Sequence, residues 1–206
     1  MKTKQILNRL FTIFKKEYIL LAIHFGNRHG SDADIFVLLS NDSQYGNTNF
    51  ETLDITHIGV SKIEKLILGL DPILTEPFLT GEVIFGNEFL VEDVKKRLII
   101  RPESCPYLFQ FSVILYNWAL WFIERNDLRK GLINFSFSCS YALLAYEYSS
   151  KKTVTTYNEI SKKHSILREL KEKVRSHGSI NKIEVDEIRI DLFNLLTKTR
   201  NKLKST

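Results

Sequence analysis

The chain has 206 residues, 44% apolar and 26% charged, with only four prolines and nine glycines. That composition excludes a disordered or collagen-like chain and leaves room for a real hydrophobic core in one or two domains. The net charge of +5 is uneven: from residue 151 onward fourteen Lys/Arg face seven Asp/Glu, so that segment is +7 and the remainder −2.

Residues 3–16 read as an amphipathic helix, with Ile6, Leu7, Leu10, Phe11, Ile13 and Phe14 on one broad apolar face. Asn8, Arg9, Lys15 and Lys16 break up any continuous apolar run and no small-residue cleavage site follows, so the stretch is not read as a signal peptide. Residues 18–25 form an apolar strand buried on both faces, 26–31 a turn, and 34–40 a second strand. The polar stretch 41–49 reads as a loop, and 50–60 alternates as a third strand. Ser61-Lys62-Ile63-Glu64 has the form of a capping box, opening a short helix that stops at Gly69. Residues 71–80, with Pro72 and Pro77, read as irregular, 81–86 as an edge strand and 88–98 as a helix.

Residues 101–106 hold two prolines and mark the boundary between an α/β domain at 1–103 and a helical bundle at 104–206. Beyond it the predicted helices are 107–125, one capped by Asp127 and running to about Tyr148, and 157–163 behind a Thr156-Tyr157-Asn158-Glu159 capping box. Two amphipathic helices follow, 165–176 and 184–204, divided at His177-Gly178-Ser179. Residues 107–123 carry no charge, but Gln110, Ser112, Asn117 and the short length favour a helix buried between domains over a membrane span. The aromatic residues from Tyr107 to Tyr146 read as packing first and a base-stacking wall second. Cys105 and Cys139 lack any metal-ligand spacing and read as free, buried thiols in a reducing, cytoplasmic setting.

The chemistry concentrates between residues 19 and 39. Asp32 and Asp34 lie two apart at a strand start, hence on one face, just after a glycine-bearing turn. Two such carboxylates can hold a divalent cation while loop amides cradle a phosphate. Asp54 lies in the next predicted strand, while His57, three residues on, faces the other side of it and reads as a core or surface histidine. His24 and His29 flank the turn without a ligand spacing.

Phe25-Gly26-Asn27-Arg28 followed by Ser31-Asp32-Ala33-Asp34-Ile35 resembles the Gly-Ser…Asp-x-Asp signature of polymerase-β-type nucleotidyltransferases. The Leu53-Asp54-Ile55 segment stands where that family places its third acid, and 81–86 (GEVIFG) resembles its closing segment. The added helices resemble the minimal and aminoglycoside nucleotidyltransferases. The resemblance implies an α+β fold with a mixed sheet, followed by an all-helical bundle. It implies two Mg²⁺ ions held by Asp32, Asp34 and Asp54, and a nucleoside triphosphate, ATP foremost, held near Gly26, Asn27, Arg28 and Ser31. Glu147 is the helical-domain candidate for a general base, against a plain helix-end surface role. The implied reaction transfers a nucleoside monophosphate to a hydroxyl, of a small molecule foremost, with a protein side chain or an RNA end as other acceptors.

Two departures support a second reading. Asn27 replaces the family's serine, and the loop from Gly26 to Asp32 is shorter than usual, so phosphate is held elsewhere, for instance by Lys62 or Lys65, or not at all. The alternative is a catalytically weak or inactive binding protein, an antitoxin-like partner of a helical protein, or a homodimer. A third reading is nucleic-acid binding through the basic C-terminal helices, set against a solvated face of mixed charge.

Overall fold

The computed structural model describes residues 3–26, 33–41, 46–151, 153–175 and 181–205. The chain divides into two compact units, Met1–Leu98 and Ile99–Thr206. The first unit opens with helix α1 (Thr3–Ile13) and strands β1 (Ile19–Phe25), β2 (Ala33–Leu39), β3 (Gly46–Phe50) and β4 (Leu53–Gly59). Helices α2 (Ile63–Gly69) and α3 (Pro72–Thr80), strand β5 (Glu82–Gly86) and helix α4 (Glu88–Arg97) follow. The strands form one sheet in the order β3-β4-β2-β1-β5. The β2–β4 pair is parallel and the other pairs are antiparallel, so the sheet is mixed, as expected.

Side chains alternate across a strand, and here both faces are covered. Ala33, Ile35, Val37 and Leu39 of β2 join Leu53 and Ile55 of β4 and pack against Ile6 and Leu10 of α1. On the other face Phe36 meets Phe78 of α3 edge to face, with ring centroids 5.5 Å apart. Each fully buried Ile, Leu or Phe contributes about 1.5–3 kcal/mol. This double burial explains why β1 and β2 read as continuous apolar runs. The piece at 81–86 is the edge strand that was expected, paired with β1.

Several local expectations are corrected or adjusted. Residues 46–50 are not loop but β3, an edge strand whose residues alternate between half-buried and exposed. Its Asn47-Thr48-Asn49 centre carries no apolar signal, because an edge strand has little to bury. The strand expected at 50–60 is present as β4 and starts later, at Leu53, because Glu51 adopts a left-handed φ of 53° and turns β3 into β4. Ser61 forms no capping box; it lies in a 3₁₀ turn (Val60–Lys62), and no side chain caps α2. That helix closes on Leu70 at φ 51°, where burial of the leucine outweighs a backbone cost of about 1–2 kcal/mol. Residues 71–80 are helical, not irregular. The Asp71 side chain accepts from the Ile73 amide, and Pro72 sits at the first turn, where a missing N–H costs nothing.

The described elements of the second unit are all helices: α5 (Ser104–Glu124), α6 (Leu128–Tyr148), α7 (Tyr157–Lys163), α8 (Ser165–Arg175) and α9 (Lys182–Lys204). Helix α6 is the centre and packs against α5, α7, α8 and α9. Ser112 of α5 and Ser138 of α6 are both fully buried, and each hydroxyl donates to the other's backbone carbonyl at 2.8 Å. The reciprocal pair satisfies polar groups that would otherwise be costly to bury. Asp127 caps α6 by accepting from the Lys130 amide, as expected. The Thr156–Glu159 capping box forms in both directions. The α5 helix is not buried all round, since Ile114, Trp118 and Trp121 are exposed. No helix among the described residues is long and apolar enough to cross a membrane. Both cysteines are buried and unpaired, and burial pushes the Cys139 thiol up to about 12. The expected break at His177-Gly178-Ser179 lies outside the described residues.

Candidate active site

The first unit brings three of the predicted site residues to one end of its sheet. Asp34 is the second residue of β2 and Asp54 the second of β4. The two are direct partners in the parallel ladder, so their side chains leave the same face. Asp34 is half-buried and Asp54 exposed. Phe25 is the antiparallel partner of Asp34, and Gly26 follows it at φ +75°. A Cβ at Gly26 would fall on Oδ2 of Asp34. The glycine therefore does more than turn the chain, because it clears the space that the Asp34 carboxylate occupies.

The pairing follows from local sequence. Asp34 sits one residue inside a strand whose remaining members are apolar and buried, so the register is set by the core. The same holds for Asp54 between buried Leu53 and Ile55. Strand spacing of about 4.8 Å puts two such carboxylates within reach of one small cation. Oxygen donors at about 2.1 Å suit Mg²⁺, so this pair fits the implied metal. Among the described residues, no group of three His, Cys, Asp or Glu side chains converges as a metal site. Asp32, the first acid of the expected Asp-x-Asp pair, lies outside the described residues, as do Asn27, Arg28, His29 and Ser31.

Other predicted residues lie elsewhere. His57 is on the opposite face of β4 from Asp54 and meets the Phe14 ring at 5.2 Å. Burial holds its imidazole below the ordinary value, and its Nδ1 has no hydrogen-bond partner. It is a half-buried histidine packed beside Phe14, on the far face from the acids. Lys62 and Lys65 follow the far end of β4; Gly59 is five residues beyond Asp54. At a rise of about 3.3 Å per residue, the end of the strand is roughly 16 Å from the acids. The idea that these lysines hold a phosphate at the acids is therefore dropped.

Glu147 lies near the end of α6 in the helical unit, with its side chain 15% exposed. Lys151 donates to its Oε2, Lys163 stands 3.9 Å from the same oxygen, and His164 Nε2 is 3.3 Å from Oε1. Burial alone would raise its carboxyl, but the Lys151 and His164 hydrogen bonds and the lysine charges outweigh it and hold it below the ordinary 4.5. A general base working near neutral pH needs the opposite shift. The basic C-terminal helices are also partly engaged: Lys173 pairs with Glu184 at 3.4 Å, and Lys198 and Lys202 lie over the Tyr146 ring.

One residue at the acidic end carried no functional signal in the sequence. Arg9, on the polar face of α1, donates to Thr52 Oγ1 at 2.7 Å and pairs with Glu51 Oε2 at 2.7 Å. Glu51 and Thr52 form the β3–β4 turn, and the Thr52 carbonyl accepts from the Ala33 amide at 2.8 Å.

No protein-family model matches the chain, and no curated protein sequence matches it. Among solved structures, the chain is similar to the crystal structure of a nucleotidyltransferase-like protein from Exiguobacterium sibiricum 255-15, at 12% identity and a TM-score of 0.44, over 99% of this chain and 78% of that one.

Proposed function

We propose that the protein is a nucleotidyltransferase that holds Mg²⁺ and a nucleoside triphosphate, ATP foremost, at the Asp34–Asp54 end of its sheet. It passes a nucleoside monophosphate to an acceptor hydroxyl, of a small molecule foremost. One observation carries this reading: two carboxylates are side by side on parallel strands, with a glycine clearing room for one of them. Asp32, two residues before Asp34 in the sequence, is assigned as a further donor in this reading, and Asn27, Arg28 and Ser31 are assigned to the triphosphate. Bound there, Mg²⁺ supplies charge neutralisation for the triphosphate and a lowered pKa for the attacking hydroxyl. The chain's own residues have a simpler task. Asp34 and Asp54 present hard oxygens from rigid strands, so little order is lost when the cation binds. Glu147 is given no step, because its carboxylate is already committed to Lys151 and His164.

Calorimetric titration with each of the four ribonucleoside triphosphates, with and without Mg²⁺, tests the reading. Saturable binding of at least one, dependent on Mg²⁺, is expected. A wild-type protein that binds none of them would sink it. The second reading, a catalytically silent partner of a helical protein, draws on the exposed Ile114–Trp118–Trp121 ridge of α5, three large apolar residues on one helix face. It gains if that titration is flat.

A further inference from the structure

We infer that Arg9 is the positioning residue for the acid pair. The inference rests on the reading of Asp34 and Asp54 as cation ligands. Arg9 acts on the acids through the β3–β4 turn. Its guanidinium bridges the two residues of the β3–β4 turn, Thr52 at 2.7 Å and Glu51 at 2.7 Å. That turn reaches both acids. Thr52 is two residues from Asp54, and its carbonyl accepts from the amide of Ala33, the residue before Asp34. One side chain on α1 thus fixes the segment that sets where β2 and β4 begin.

The need for such a clamp is visible in the turn. Glu51 is non-glycine at φ +53°, a conformation that must be held by its surroundings. Arginine suits the task because its planar fork can reach a hydroxyl and a carboxylate at once, whereas a lysine offers a single point of attachment. The opposite end of α1's anchorage is apolar: Ile6 and Leu10 are buried in the core, so the helix is a rigid base for the guanidinium. Partners that orient metal ligands typically change affinity about 10–100-fold when removed.

Electrostatics gives the inference a distinguishing sign. Removing a cation from near a cation site should tighten metal binding or leave it unchanged. If Arg9 acts by positioning, its removal weakens binding instead. The test titrates Mn²⁺ alone into wild type, Arg9→Gln, Arg9→Lys and Arg97→Gln. Arg97 pairs with Glu64 and Asp93 in the same unit and serves as a control for loss of an exposed ion pair. Amide hydrogen exchange at Ala33 is read in parallel.

Arg9→Gln is expected to weaken Mn²⁺ binding about tenfold or more, with faster exchange at Ala33 and a melting temperature lowered by no more than about 4 °C. Arg9→Lys should fall between it and wild type, and Arg97→Gln should bind as wild type does. Unchanged or tighter binding by Arg9→Gln would overturn the inference, as would unchanged exchange at Ala33 or equal weakening by Arg97→Gln. A wild type that binds no Mn²⁺ removes the metal reading itself, and the inference falls with it; that result is seen before any variant is compared.

Discussion

Asp34 and Asp54 face each other as direct partners across the parallel β2–β4 pair, two carboxylates at the same end of neighbouring strands. Like charges placed opposite one another in a sheet destabilise it by about 0.2–1 kcal/mol. The first expected outcome is therefore a trade. Asp54→Asn should raise the metal-free melting temperature by a few degrees, about 1–4 °C. The same variant should lose Mg²⁺-dependent triphosphate binding. Thermal melts with and without Mg²⁺ and ATP read both effects at once. A variant less stable than wild type in the absence of metal would contradict the view that Asp54 is kept for binding.

Gly26 ties the turn to the acid. It needs a positive φ, and its missing side chain leaves room for Asp34 Oδ2. Gly26→Ala should displace the carboxylate and strain the backbone, costing about 1–2 kcal/mol of stability and more than tenfold in metal affinity. Urea melts and calorimetry check the two parts separately. Wild-type affinity in Gly26→Ala would show that Asp34 takes no part in binding.

The helical unit offers a test of its folding that is independent of the site. Thr156 and Glu159 cap α7 reciprocally, with the Thr156 amide donating to Glu159 at 2.8 Å and the Glu159 amide to Thr156 Oγ1 at 3.3 Å. Thr156→Ala should cost about 1 kcal/mol, measured by urea denaturation, with no effect on nucleotide binding.

Glu147 should give the stability curve an acidic limb. Its carboxyl lies below 4.5 in the folded protein, because the surrounding cations outweigh the effect of burial. A depressed acid contributes stability above its unfolded pKa and loses it as pH falls through the folded value. Wild type should thus exceed Glu147→Gln in stability at pH 7, and the gap should close below about pH 4.5. Denaturation of both proteins between pH 7 and 3 measures this; a gap that does not begin to narrow below about pH 4.5 would rule out the ion-pair origin.

Much of this was legible because it rests on strong local signals. Apolar runs with β-branched residues marked β1 and β2, and the resemblance to nucleotidyltransferases implied that Asp34 and Asp54 share one end of the sheet. Capping at Asp127 and Thr156 was readable because the side chain and the amide it caps are three residues apart. What was not legible depends on distant packing. The β3 strand is polar because it lies at an edge, Leu70 ends α2 because the core holds its side chain, and Pro72 starts α3 although two prolines suggested irregular chain. Arg9 was invisible for the same reason: its partners lie more than forty residues away, and an arginine on the polar face of an amphipathic helix looks like any solvated charge.

The most direct test of the proposed function is to add Mn²⁺ to isotope-labelled protein and follow the backbone amide resonances. Paramagnetic broadening is expected first at Ala33, Asp34, Leu53 and Asp54, to deepen when ATP is present, and to vanish at those positions in Asp34→Asn/Asp54→Asn. Broadening that begins elsewhere, or that persists at those four amides in the double variant, would contradict the assignment of this sheet end as a metal–nucleotide site.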